Sequence, residues 1–338
     1  MEQLYVKNLY SLDEVTIDVQ SINVFIGSQA EGKSLLMKVL WFVKSLPIFM
    51  QRSFFNLKAD SEIEFKKIYE NLFIKFFNAS SLKNCEIKFY KNNELIVSIK
   101  KIKSIQIFYH NKISQLFKKY LRLTKNSSYS SIGEYQNTLK NISNHFLEEI
   151  SSSFPNFGHL GIYVPASRSL YSALQSNTFR LMSIQKSIDP IFIEFSEIYE
   201  FIKILHEREI VKFYHPQIIY NLLKGHYERK HQKEFIKNDK YSTEITFASS
   251  GQQEILPILI TLDYIVQPEY KEFDLNCPID LYIEEPEAHL FPETQLHLTK
   301  YIIQIYNTTQ KTSKNSTITI TTHTPYLLTI INNCIQLG

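Results

Sequence analysis

Three groups of residues have the types and spacing to handle phosphate. The first is Gly27-Ser28-Gln29-Ala30-Glu31-Gly32-Lys33-Ser34, which fits G-x-x-x-x-G-K-[ST] without a mismatch. Glycines at that spacing let a backbone curl until its N–H groups point inward at a β-phosphate, with Lys33 reaching the β- and γ-oxygens and Ser34 ligating Mg²⁺. The second group is Glu284-Glu285-Pro286-Glu287. Adjacent carboxylates repel each other at low dielectric unless a cation or a shared proton offsets them, and a metal accounts for the pair. Glu284 would then hold Mg²⁺, directly or through water, while Glu285 polarises the water that attacks a γ-phosphate. The third is His323, within Thr322-His323-Thr324-Pro325. Its ring can hydrogen-bond a phosphate oxygen or the attacking water; alone it would be more often structural, and its place one helix and one loop after the acidic pair enlists it.

These residues need strands that end where they stand. Ile22 to Ile26 is a β-branched apolar run ahead of the phosphate loop, and Leu35 to Val43 has helical apolar spacing behind it. Ile279 to Ile283 and Ser316 to Thr321 read as the strands that deliver the carboxylates and His323. Leu160 to Pro165 is a buried-type strand followed by Ala166-Ser167-Arg168-Ser169, a polar cluster at the strand end where α/β folds place ligands. Ser249-Ser250-Gly251-Gln252 opens an apolar helix, Ile255 to Val266. Its unpaired N–H groups and helix dipole suit an anion, and the same residues also suit an ordinary cap.

Elsewhere, Leu4 to Asn8 and Val15 to Val19 are expected to pair as an antiparallel hairpin. Glu86 to Lys91, Glu94 to Lys100 and Ser104 to Tyr109 alternate like strands, with Asn92-Asn93 as a turn. Ile113 to Leu123 and Tyr135 to Ile150 turn helical around the polar loop Lys125 to Ser131, and the whole stretch from Leu46 to Gly158 reads as an insertion. Ser187 to Leu223 reads as mostly helical. The charged run Lys224 to Lys240 is read as a solvated helix face or loop rather than a DNA-contacting surface, because Glu228, Glu234 and Asp239 interrupt it.

The 338 residues are 44% hydrophobic and 21% charged, enough for a sizeable core. A soluble globular protein is expected, because the longest apolar run, Ile255 to Val266, is far shorter than the roughly 20 residues of a membrane span. Met1 to Tyr10 carries no signal-like organisation. Cys85, Cys277 and Cys334 are scattered and never spaced C-x-x-C, which argues against a disulfide framework or a zinc site and for a reducing cytoplasm. A net charge of +3 gives a nucleic-acid partner little support.

Taken in order, these features resemble the head of an ABC-type ATPase, in the branch that includes OLD-family, RecF-like and Septu-like antiphage ATPases. In that resemblance Gly27 to Ser34 is the Walker A loop, Ser249 to Gln252 the signature motif, Glu284 and Glu285 the Walker B pair, Ala288 to Phe291 the D-loop, and His323 the switch histidine. Glu-Glu-Pro-Glu-Ala-His-Leu followed by Phe291-Pro292 is the branch-specific part, and Val164 to Ser169 is similar to a further segment common there, which would bring Arg168 near nucleotide. Ser250 and Glu284 depart from the glycine and aspartate that transporter ATPases carry.

The resemblance implies an α/β P-loop fold in a single ATPase domain, 1–338. Its mixed central sheet has an N-terminal antiparallel edge. The nucleotide-binding core is 1–45 and 275–338, the α+β insertion 46–158, and a core strand with a helical signature lobe 159–274. It implies ATP and Mg²⁺ as ligands and a homodimer closed around ATP, which gates a separate nuclease or toxin effector in antiphage defence or DNA processing. Two alternatives stand beside it. One is a nucleotide-locked scaffold or sensor with negligible turnover; the other is the ATPase part of a longer OLD-type nuclease whose TOPRIM domain lies beyond Gly338. A transporter subunit is disfavoured by the Glu-Glu-Pro-Glu motif and the long insertion.

Overall fold

The computed structural model describes residues 1–56, 59–126, 131–171, 188–267, 278–312 and 315–337. Cys277, the centre of the loop at 125–131, Ser187 and the expected boundary at 274–275 lie outside them. The chain opens with the hairpin β1 (Glu2–Leu9) and β2 (Leu12–Val19), as the alternating pattern predicts. Then come β3 (Ile22–Ile26), α1 (Lys33–Lys44), α2 (Leu46–Asn56) and α3 (Glu62–Phe77). Strands β4 (Cys85–Lys91), β5 (Glu94–Lys101) and β6 (Ile105–Tyr109) precede α4 (Asn111–Asn126) and α5 (Ile132–Ser153). Asn92 and Asn93, both at positive φ (49° and 65°), turn β4 into β5.

The second half holds β7 (Leu160–Val164), α6 (Pro190–Glu207), α7 (Pro216–Leu223), the short strands β8 (His226–Lys230), β9 (Lys233–Lys237) and β10 (Ser242–Glu244), and α8 (Ser250–Ile265). It closes with β11 (Ile279–Glu284), α9 (Pro292–Thr312), β12 (Ile318–Thr322) and α10 (Pro325–Leu337).

The fold is α/β, as expected, but its parallel and antiparallel strands form separate sheets. The parallel sheet runs β3-β12-β11-β7, the larger antiparallel sheet β2-β1-β4-β5-β6, and a smaller antiparallel sheet β10-β9-β8. The hairpin therefore does not extend the sheet of the phosphate loop. Its free edge is taken by β4, so the stretch read as an insertion supplies three of the five strands of the larger antiparallel sheet. β11 is buried on both faces, which is why it reads as an almost unbroken apolar run. On one face Tyr282 and Tyr163 join a core rich in aromatic rings from α1, α2 and α3, where Trp41, Phe42, Phe49 and Phe76 meet edge to face or tilted. On the other, Leu281 and Ile283 join the aliphatic core of α6, α8 and α9.

The charged run 224–240 departs from its reading, since it forms a hairpin, β8 and β9, turning at His231-Gln232 with φ of 51° and 63°. Alternation was hidden because an inward position of β9 is the fully buried Glu234, which accepts from Lys203 Nζ (3.1 Å) and from the Tyr199 and Tyr227 hydroxyls. Cys85 and Cys334 are free thiols. Among the described residues no single helix is long and apolar enough to cross a membrane.

A chain of buried ions joins the parallel sheet to the larger antiparallel sheet. Lys44 Nζ, at the end of α1, lies 2.8 Å from Asp280 of β11 and 3.2 Å from Glu2 of β1, whose other oxygen meets Lys91 of β4 at 3.2 Å. Asp280 also faces His159 Nδ1 at 3.0 Å and accepts the N–H of Thr317 at 2.9 Å. Burial alone would push the Asp280 carboxyl up; Lys44 and His159 overcome it and hold the group well below the ordinary carboxylate range. Removing one member strands its partner's charge, so Lys44→Met should lower stability by roughly 3–5 kcal/mol in denaturant titration. Because the folded Asp280 pKa lies below the unfolded one, its contribution is complete above about pH 4 and fades as pH falls further. In Asp280→Asn this acid-side loss should shrink, and an unchanged slope would show that Asp280 is not its source.

Candidate phosphate site

The carboxyl ends of β3, β12 and β11 stand level, since Ile26 pairs with Thr322 and Glu284 with Thr321. That register brings residues 27–34, 284–287 and 323 to one end of the parallel sheet, where α/β folds bind ligands. The loop after β3 turns through two left-handed residues, Ala30 (φ 66°) and Gly32 (φ 90°). A Cβ at Gly32 would fall 2.7 Å from the Leu12 side chain and 2.8 Å from Ser11 Oγ, so this glycine answers to both φ and space. Ser28, Gln29, Ala30 and Glu31 are exposed along the loop, and Lys33 and Ser34 open the 12-residue helix α1 with their N–H groups toward it.

Lys33 Nζ donates to the carbonyls of Gly27 (2.8 Å) and Ser28 (2.6 Å) and stands 3.3 Å from His323 Nδ1. His323 Nε2 in turn is 2.7 Å from Glu285 Oε1. Three residues separated by about 290 positions of sequence thus form one hydrogen-bonded chain. An ammonium cannot accept, so Nδ1 is the acceptor and the ring carries its proton on Nε2, donated to Glu285.

Glu284 is held on both oxygens, accepting from the Tyr163 hydroxyl at 2.5 Å and from the N–H of Ala166 at 2.8 Å. The same hydroxyl reaches the carbonyl of Ser34 at 3.5 Å, so Tyr163 ties the start of α1 to the acidic strand end. Burial, and then the charge of Glu284, push the Tyr163 phenol well above its usual pKa, and it stays a donor. Among the described residues no cluster of three or more His, Cys, Asp or Glu could hold a metal. Ser34 and Glu284 still suit Mg²⁺, which takes one or two protein oxygens and draws its other ligands from phosphates and water.

Arg168 sits elsewhere than the nucleotide-proximal place expected of it. It is fully buried behind the acidic turn, donating to the carbonyls of Pro165 (3.1 Å), Glu284 (2.7 Å), Glu285 (2.9 Å) and Glu254 (3.0 Å). Glu285 needs that support, for its φ of 41° swings the chain sharply out of β11. The sequence reading gave no role to Glu287. Its Oε1 accepts from the Thr322 hydroxyl (2.5 Å) and from the N–H of His323 (3.1 Å), joining the ends of β11 and β12 beneath the histidine. A third carboxylate two residues past the pair was the available signal.

Ser249 to Gln252 are not brought to the loop. No hydrogen bond or ion pair joins them to residues 27–34 among the described residues. Ser249 instead caps α8 in a reciprocal box with Gln252, and Gly251 packs against the turn at His289 and Leu290.

Residues 165–328 match the family model described as the AAA ATPase domain. The match takes in Arg168, the turn at 249–252, the acidic strand end and His323, and starts after the phosphate loop. That segment is therefore similar to an ATPase domain. No curated protein matches the chain. Among solved structures, the SMC head domain from Thermotoga maritima is 12% identical over 97% of this chain and 90% of that one, with a TM-score of 0.42. An SmcHead bound to the C-winged helix domain of ScpA is 14% identical over 97% and 90%, TM-score 0.44. An Smc head domain with an extended coiled coil, bound to the C-terminal domain of ScpA derived from Pyrococcus furiosus, is 13% identical over 98% and 92%, TM-score 0.43.

The placement of Arg168 is testable. Arg168→Ala should cost roughly 3–5 kcal/mol in denaturant titration, because it strands Glu254 and four carbonyls in the interior. A residue acting on nucleotide would instead lose ligand affinity at unchanged stability.

Proposed function

We propose that residues 1–338 act as one Mg²⁺-dependent ATPase unit of ABC type, and the observation that carries this is the chain Lys33–His323–Glu285 at the level ends of three parallel strands. Lys33 needs only to exchange two backbone carbonyls for β- and γ-phosphate oxygens, which are stronger acceptors. Glu285 is the base for the attacking water, with its carboxylate aimed by His323 and its backbone fixed by Arg168. His323, released by Lys33 on Nδ1, gains an acceptor for that same water. Ser34 and Glu284 would hold Mg²⁺, which offsets charge on the β- and γ-oxygens when bound. Residues 27–34 make the cradle for the phosphates.

The proposal extends to a pair of chains. Ser249, Ser250, Gly251 and Gln252 of one protomer complete the site of the other, their helix N-terminus meeting the γ-phosphate. Support comes from their surroundings: Ser249 and Ser250 are exposed, and Phe247 and Phe291 flank the turn with 82% and 83% of their surface in solvent. Such rings on an open surface suit contact with another chain. ATP state would then gate a separate nuclease or toxin effector in antiphage defence or DNA processing, a step that rests on the Glu-Glu-Pro-Glu-Ala-His-Leu resemblance.

Glu285→Gln should keep ATP binding and slow turnover by roughly 10²–10⁴. In light scattering this variant should associate with ATP and not with ADP, and adding Ser249→Arg should abolish the association. Equal mass in all three conditions would leave Ser249 to Gln252 as a helix cap and nothing more.

A further inference from the structure

Glu31 lies inside the phosphate loop, and the sequence motif places no demand on it. Its Oε2 accepts the N–H of Ser28 at 2.9 Å, one of the donors that the curled backbone would turn toward a phosphate. The same oxygen rests against the bare α-carbon of Gly27, where a Cβ would come within 2.3 Å of it. The space that the first glycine of the motif leaves free is therefore filled by a carboxylate of the same loop. Lys33 is turned inward beside it, on the carbonyls of Gly27 and Ser28. An arriving phosphate meets a donor already committed and a negative charge already in place.

We propose that Glu31 is an internal anion competing with nucleotide for this loop, so that the chain binds ATP only at concentrations high enough to displace it. The inference rests on the nucleotide reading of the loop and adds its regulation. Displacement costs the nucleotide both the hydrogen bond from Ser28 and the repulsion between carboxylate and phosphate, two contributions that substitutions separate. Glu31→Gln removes the charge and keeps an oxygen for Ser28. Glu31→Ala removes both. Because the competition is at the phosphates, ADP and inorganic pyrophosphate should feel it alike.

The experiment is equilibrium binding of ATP, ADP and pyrophosphate to the full chain, for wild type, Glu31→Gln, Glu31→Ala and Lys33→Ala. Glu31→Ala should bind all three about tenfold more tightly than wild type, equivalent to about 1.4 kcal/mol, with Glu31→Gln in between. The gain should persist at high salt, where a general surface-charge effect is screened and a contact at hydrogen-bond distance is not. Wild-type binding that depends on Lys33, with either Glu31 variant equal to or weaker than wild type, would overturn the inference and leave the nucleotide reading intact. A gain that vanishes at high salt would overturn it as well. Binding indifferent to Lys33, or absent in every variant, would overturn the nucleotide reading and the inference with it.

Discussion

The guanidinium of Arg168 is the constraint on which the site depends. Two neighbouring carboxylates on a strand point to opposite faces, and Glu284 and Glu285 can serve one site only if the backbone turns between them. That turn places Glu285 at a positive φ and leaves the carbonyls of Glu284 and Glu285 pointing into the interior, where unpaired acceptors are costly. One buried arginine satisfies both, together with the carbonyl of Pro165 after β7 and of Glu254 in α8. The end of β7, the end of β11 and the first turns of α8 are thereby fixed to one another. Glu254 completes the arrangement, lying 3.3 Å from Arg168 Nε and 3.3 Å from Nδ1 of His289 in the turn after β11.

The opposite end of the parallel sheet is tied just as firmly. Lys44 and Asp280 couple α1, which begins at the phosphate loop, to the start of the strand that ends at Glu284. Through Glu2 and Lys91 the tie continues into the antiparallel sheet, so β1 and β4 are held to the end of α1 opposite the phosphate loop. Burying these charges brings little net stability compared with an apolar core, but it admits few alternative registers.

Much of this was legible because the informative residues are local in sequence. The loop 27–34, the strands at 22–26 and 279–284 and the hairpin at 2–19 follow from period, glycine spacing and turn residues. Lys33, Glu284, Glu285 and His323 are candidates by type, and the structure adds that Lys33, His323 and Glu285 touch in that order while Glu284 is held by Tyr163 and Ala166, which no spacing of residues reveals. What stayed hidden has a common cause: buried polar side chains that look like surface. The resemblance of residues 164–169 puts Arg168 near nucleotide, and nothing in an arginine's type announces that it is buried. Glu234 disguised β9 by occupying an inward position with a charge. The separation of the N-terminal hairpin from the parallel sheet was equally unreadable, since β1 and β4 are joined by pairing across some 80 residues.

Nucleotide affinity through a single cation is the central claim, and calorimetric titration of ATP with Mg²⁺ into the wild-type chain and into Lys33→Ala tests it most directly. The expected result is saturable binding with one site per chain in the wild type and none in the variant, at equal thermal midpoints without nucleotide. Equal binding by both chains, or no binding by a folded wild type, would contradict it.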